Sequence, residues 1–351
     1  MSATGAHRAN SNQELGRIMA SEMAEQPATL AGLLARSGEI AAEVRRLAPS
    51  PLAGTVLVAR GSSDHAATCG RYYLEMATRR PVASTSPSLF TLYRSATDFS
   101  GYLMVAVSQS GRTPEIVEVV TQARRNGART IAVTNDATSP LASAADFVIG
   151  LQAGEERAVP ATKTVTAQVA AFAVVAQALG DIGLTDRAAG ELPAQVAGIL
   201  SDGGPAAYLA EWLAPHDRLV TVARGLLYGA AGETALKVEE TTSRFTAAFS
   251  AADLRHGPIA MATAGPPVLA FAHPGPASAD LLELVSELRS RGADCRVAGP
   301  VPGSDMKWPE APEVAAPVLA ITRGQQLALT LARLLGRDPD APPGLTKVTI
   351  T

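Results

Sequence analysis

The hexapeptide Ser108-Gln109-Ser110-Gly111-Arg112-Thr113 sets three hydroxyl groups around a glycine, directly after the apolar run that begins at Tyr102 and directly before Pro114. A turn between a strand and a helix start presents hydroxyls and backbone N–H groups at the positive end of the helix, a setting that suits a phosphate. Gly111 lets the backbone approach such a ligand closely. The plain alternative is a polar turn with Thr113 as the helix cap, but three hydroxyls exceed what one cap requires. Arg60-Gly61-Ser62-Ser63 ends an earlier apolar run. It belongs beside the hexapeptide, because open α/β sheets hold their ligands at the carboxyl ends of strands. No G-x-x-x-x-G-K-[ST] or G-x-G-x-x-G sequence occurs, which argues against a nucleotide.

A second group of residues is suited to moving protons. Glu233, Lys237 and Glu240 stand at i, i+4 and i+7 and share a helix face. Such a row is most often a solvated surface feature. Two carboxylates flanking one ammonium soon after a strand end also describe a carboxylate base, of the kind that moves a proton between adjacent carbons. His256 lies in the turn Leu254-Arg-His-Gly-Pro258 and can shuttle a proton near neutral pH, or merely hydrogen-bond there. His65, His216 and His273 form no metal-spaced cluster with acidic residues, so neither a metal nor another cofactor is expected.

The elements that must position these groups follow from the pattern. The chain has 351 residues, 47% of them hydrophobic but only 4% aromatic, which suits two α/β domains rather than one core. A formal net charge of -3 gives no electrostatic case for nucleic acid or an anionic membrane. Two cysteines outside any C-x-x-C pair fit a reducing, cytoplasmic setting. No apolar run is long enough to span a membrane, and the polar residues 1–12 read as a disordered leader. Apolar spacing predicts helices over about 14–47, broken at Pro27 and Gly38. Strand, turn and helix then alternate: Thr55–Ala59, a helix to about Thr78, Tyr102–Ser108, Pro114–Asn126 and Thr130–Thr134. That alternation predicts a doubly wound parallel sheet.

The plan recurs. Val58-Ala-Arg-Gly61 reappears as Val222-Ala-Arg-Gly225, an offset of 164 (222 − 58). At that offset Met104–Val107 falls on Val268–Phe271, followed by an expected helix Ala279–Arg291 and strand Ala293–Ala298. The copy of the hexapeptide is Ala272-His-Pro-Gly-Pro-Ala277, without hydroxyls and with two prolines that lack an N–H. One domain should therefore bind phosphate and the other should not. The reading is an N-terminal helical segment (1–47), two similar domains (48–200 and 205–336) and an extended tail (337–351).

Met23-Ala-Glu-Gln-Pro27, Arg60-Gly-Ser-Ser63, Ser108-Gln-Ser-Gly111, Ala161-Thr-Lys163, Glu233-Thr-Ala-Leu-Lys-Val-Glu-Glu240, Arg255-His-Gly-Pro258 and Leu345-Thr-Lys-Val348 occur in the order seen in the sugar-isomerase (SIS) domain family. The chain resembles the isomerase half of the glucosamine-6-phosphate synthases and, more closely, the stand-alone SIS-type glucosamine-6-phosphate deaminases. The resemblance implies two tandem doubly wound, flavodoxin-like domains and a sugar-phosphate substrate. It implies that Ser63, Ser108, Gln109, Ser110 and Thr113 hold the phosphate and that Gly61, Ser62, Thr162 and Lys163 line the rest of the pocket. Glu240 would be the C1–C2 proton-transfer base, with Glu233 and Lys237 beside it. His256 would assist ring opening from the neighbouring subunit of a homodimer, and Lys347 would reach the sugar carbonyl. No glutaminase domain precedes the resemblance, so the expected direction is release of ammonia from glucosamine 6-phosphate. Arg112 stands where the synthases have glutamate and Ala161 where they have serine, which leaves a galactosamine-6-phosphate deaminase or isomerase, or a fructosamine-6-phosphate deglycase, as alternatives. A non-catalytic sugar-phosphate sensor is the alternative of another class. No room for a helix-turn-helix domain and the presence of Glu240, His256 and Lys347 speak against it.

Overall fold

The computed structural model describes residues 14–262 and 265–347. The expected leader (1–12) and Val348 lie outside them. Two compact units form. One comprises Ala28–Glu155 and Lys163–Glu191. The other comprises residues 14–27, Glu156–Thr162 and Leu192–Lys347.

The N-terminal stretch makes three helices, α1 Arg17–Ala24, α2 Gln26–Ala35 and α3 Ser37–Leu47. The breaks fall at Glu25 and Arg36 rather than at Pro27 and Gly38. Pro27 is the second residue of α2, where its missing N–H costs no helical bond.

The first unit continues with β1 Gly54–Val58, α4 Ser62–Thr78, β2 Val82–Ser84, α5 Ser88–Thr91, β3 Tyr102–Val107, α6 Pro114–Arg125, β4 Arg129–Thr134, α7 Pro140–Ala144, β5 Phe147–Gly150 and α8 Lys163–Leu179. Its sheet is wholly parallel, in the order β2-β1-β3-β4-β5. The order reverses direction between β1 and β3, so the crevice above their carboxyl ends is where a ligand belongs. The turns that leave β1 and β3 carry Gly61–Ser63 and Ser108–Thr113.

Helix α9 Asp186–Ser201 and α10 Gly204–Leu213 come next. The second sheet is formed by β6 Arg218–Ala223, β7 Phe245–Ser250, β8 Val268–Phe271 and β9 Cys295–Ala298. Between and after its strands lie α11 Tyr228–Thr242, α12 Ala251–Arg255, α13 Ile259–Ala262, α14 Ser278–Ser290 and α15 Ala316–Leu334. The order β7-β6-β8-β9 is again parallel.

The duplication is kept to the residue. Val56 pairs with Met104 and Val220 with Val268, an offset of 164 on both strands (220 − 56, 268 − 104). One extra residue before α14 moves the offset to 165. Ile116, Val119, Val120 and Ala123 of one core then match Leu281, Leu284, Val285 and Leu288 of the other (281 − 116 = 165). A one-residue slip would turn each strand's buried side chains to the wrong face, so the shared register follows from the shared core. Among the described residues β5 has no full counterpart; a single bridge, Ala298 to Met306, stands at that edge.

In each unit two helices cross closely over a glycine. A Cβ on Gly70 of α4 would lie 2.4 Å from the Phe172 ring of α8. A Cβ on Gly324 of α15 would lie 2.1 Å from Thr234 Oγ1 of α11. Among the described residues, no helix is long and apolar enough to cross a membrane.

Candidate active site

In the first unit the β3–α6 turn is drawn tight around Gly111 (φ 62), whose N–H donates to both the backbone carbonyl and Oγ of Ser108 at 3.2 Å. A side chain at Gly111 would strike Ser139, 2.1 Å away, so glycine is required there. Thr113 stands at the N-cap position of α6 as expected, with extended backbone (φ -70, ψ 111), but its hydroxyl makes no cap bond. Oγ1 turns toward Ser108 Oγ at 3.5 Å. Two hydroxyls thus face one another at the helix start. Ser110 Oγ accepts the Arg112 N–H at 3.3 Å. The Gln109 carbonyl accepts from Asn135 N–H, fixing the turn to the end of β4.

The β1–α4 turn enters through Gly61 (φ 57), and Ser62 and Ser63 open α4, Ser63 buried and Ser62 half-buried. Arg60 is 3.2 Å from Glu115 in the first turn of α6, tying the two turns together. Arg112 points away to Asp136 at 3.1 Å. The structure therefore brings Gly61, Ser62, Ser63 and the hexapeptide to adjacent strand ends of one sheet. Lys163 is also in this unit, buried at the start of α8.

In the second unit the i, i+4, i+7 row is not a solvated face. Glu233 and Lys237 are fully buried in α11, and Glu240 keeps 20% of its side chain exposed. Lys237 Nζ lies 3.4 Å from Glu233 Oε1 and donates to Glu240 Oε2. Burial works against the Lys237 ammonium, but the Glu233 and Glu240 carboxylates outweigh it and hold the group above the ordinary lysine range. The row is one buried cation between an enclosed carboxylate and a carboxylate that reaches solvent.

His256 follows α12 at its C-cap, exposed, and its ring has no partner among the described residues. Thr162 is buried; its N–H donates to Glu156 Oε1 at 3.0 Å and its carbonyl accepts from Gln325 at 3.1 Å. Lys347 Nζ is 2.8 Å from Glu156 Oε2. The tail has no helix or strand through Lys347, as expected. It is pinned, however: Asp338 accepts the Gly16 N–H and Asp340 accepts those of Ile18 and Met19, at 2.7 to 2.9 Å. Among the described residues no group of three His, Cys, Asp or Glu side chains could hold a metal.

Glu22 and Glu156 were not singled out as site residues in the sequence. Glu22 stands at i+3 from Met19 and beside Met23, on the buried stripe of α1, which is the signal that could have found it, whereas Glu156 follows Gly154 in a loop with no periodic pattern.

These features define a chain with two SIS-type α/β units, one carrying a hydroxyl-rich turn at a helix start and the other a buried Glu–Lys–Glu row. The SIS domain model matches residues 55–178 and 212–298, and the chain belongs to the SIS domain family. It is 34% identical over 333 residues to a glutamine–fructose-6-phosphate aminotransferase (isomerizing) of Symbiobacterium thermophilum, an alignment covering 90% of this chain and 53% of that protein. The chain thus spans about half the length of the curated relatives it matches. A solved structure from Silicibacter pomeroyi, described as a phosphosugar isomerase, is 32% identical with a TM-score of 0.83, covering 92% of this chain and 99% of that one. The fold is shared with glucosamine-6-phosphate deaminase of Thermotoga maritima, at 22% identity, a TM-score of 0.77 and coverage of 94% and 99%.

Proposed function

We propose that this chain interconverts an aldose and a ketose 6-phosphate, and that its reaction is the deamination of glucosamine 6-phosphate to fructose 6-phosphate and ammonia. The observation that carries the reading is the buried Glu233–Lys237–Glu240 row, in which only Glu240 reaches solvent. An isolated surface pair would have no reason to bury its lysine completely. Ser63, Ser108, Gln109, Ser110 and Thr113 hold the phosphate through hydroxyls and N–H groups at helix starts. Gly61, Ser62 and Lys163 of the same unit serve the rest of the sugar, and Thr162 is assigned to sugar recognition as well.

In the open-chain amino sugar, Glu240 takes the proton from C2 and returns it to C1. A second proton passes from the C2 amine to O1, so the C1 aldehyde becomes a hydroxymethyl group and the C2 amine becomes an imine. Water then adds to that imine and ammonia leaves, so the balance is one water consumed and one ammonia released. Lys237 orients the Glu240 carboxylate, and Glu233 balances the Lys237 charge. His256 serves ring opening and is donated to the partner within a homodimer; its exposed, unpartnered ring supports that role. Lys347 acts at the sugar carbonyl.

The test is ammonia release by the purified chain from glucosamine 6-phosphate, with galactosamine 6-phosphate and unphosphorylated glucosamine alongside. Release from the first alone supports the proposal. Release from galactosamine 6-phosphate alone keeps the mechanism and changes the substrate. Tight sugar-phosphate binding with no turnover of any of the three refutes the deaminase and points to a deglycase of another amine adduct or to a sensor. Glu240→Gln should bind sugar phosphate and lose turnover.

A further inference from the structure

Two carboxylates that the proposed chemistry does not use lie buried around the tail lysine. Glu22 of α1 is 3% exposed and Glu156 is 5% exposed. Glu22 Oε1 accepts the Arg157 N–H at 2.5 Å, and its two oxygens share the Ala158 N–H at 3.4 and 3.2 Å. Glu156 accepts the Thr162 N–H through Oε1 and faces Lys347 Nζ with Oε2. The loop that carries Glu156 is itself fixed, because Gln325 of α15 holds the Thr162 carbonyl and also accepts from Gln26 at 3.0 Å.

Burial pushes the Glu22 carboxyl up, the Arg157 N–H pulls it down, the Glu156 charge raises it again, and the Ala158 N–H and Lys347 oppose that rise. The two carboxylates therefore feel one another, and Lys347 is the cation they share. Backbone donors engage both oxygens of Glu22 and Oε1 of Glu156, while Oε2 of Glu156 faces the tail lysine.

We propose that Glu22 and Glu156 are positioning residues for Lys347, forming a buried anionic seat that holds the lysine and the end of the tail in place. The catalytic meaning of the seat rests on the role given to Lys347 above; the seat itself does not. Two like charges in a buried site are costly without their counter-ion, so the pair favours a docked lysine more strongly than a single carboxylate would. Glu156 makes the direct contact and Glu22 reinforces its charge.

Trypsin reads the seat directly, since Lys347 must leave it to enter the protease's specificity pocket. Cleavage after Lys347 is followed on the full chain by intact mass, as loss of residues 348–351. Glu156→Gln keeps an oxygen for the Thr162 N–H but removes the charge, and should be cleaved roughly tenfold faster or more, the loss of one charge-assisted hydrogen bond. Glu22→Gln keeps an acceptor for Arg157 and Ala158 and should be cleaved about threefold faster, reading the charge alone. In both variants kcat for ammonia release should fall while KM for the sugar phosphate stays the same, and Glu156→Asp should recover more activity than Glu156→Gln. Cleavage of both variants at the wild-type rate overturns the inference, whichever of the two folds less well. If no substrate releases ammonia, the proposed function fails and the cleavage rates still decide the seat.

Discussion

Replacing Lys237 with methionine removes the cation from a row whose inner members are wholly buried, and the structure sets the size of the effect. At 3.4 Å from Glu233 the ammonium gains about 5 kcal/mol of attraction if the local dielectric is about 20. That gain offsets the burial of both groups. Without Lys237, Glu233 is left as an enclosed carboxylate, for which about 3–5 kcal/mol of lost stability is the usual outcome. Glu240 can turn to water and adds little. Converting Glu233 to leucine in the same chain removes the buried charge that Lys237 had balanced and should return most of the loss.

Trp212 and Trp308, the only two tryptophans, both fall in the second unit, so their fluorescence during urea unfolding reports on the unit that holds the row. The ammonium is held above the ordinary lysine range, and its contribution is lost only when pH climbs past that range. A loss below about 1 kcal/mol for Lys237→Met, typical of a solvated pair, would refute the argument that the row is buried and coupled.

Three further outcomes follow from the same geometry. If Ser108 and Thr113 hold the phosphate as proposed, Ser108→Ala and Thr113→Ala should each raise KM for the sugar phosphate by roughly tenfold, with circular dichroism unchanged, because each removes one hydrogen bond to a charged group. Gly324→Ala places a Cβ 2.1 Å from Thr234 Oγ1 and should cost about 1–3 kcal/mol in urea unfolding, largely recovered by adding Thr234→Ala. Cys69 and Cys295 are both buried, and burial pushes the Cys295 thiol up to about 12, so a thiol reagent near pH 8 should label neither until denaturant is added.

The alternating strands and helices were readable wherever one face of an element is polar. Pro114–Arg125 shows its apolar stripe, and the 164-residue repeat was visible in Val-Ala-Arg-Gly before any coordinate. Helices α8 and α15 were not readable. Almost every residue of Lys163–Leu179 and Ala316–Leu334 is buried, so neither has the polar face that makes helical periodicity visible. β2 is three residues long and lies at a sheet edge, too short for a pattern. β5 and β7 were also not singled out in the sequence. Among the candidate site residues, the Ser108–Thr113 turn announced itself through hydroxyl density at a strand-to-helix junction. The burial of Glu233 and Lys237 could not be read locally, because i, i+4 spacing is the same on a wet face as on a dry one. Glu22 and Glu156 acquire their meaning only from Lys347, which is 191 residues beyond Glu156.

Shifted back by 164 residues, Glu233, Lys237 and Glu240 fall on Cys69, Tyr73 and Met76. Cys69 and Tyr73 are as buried as their charged counterparts, and Met76 is half exposed. The same helix face has been written twice, once in apolar and polarisable atoms and once in ions. A buried ionic row contributes less to a helix crossing than well-packed apolar side chains of similar volume, and a repeated scaffold needs to bear that difference in only one copy. The copy free of it can devote its strand ends to hydroxyls and its helix to cohesion. Duplication here acts as a division of physical burdens, so that neither unit has to be both the firmer scaffold and the charged one.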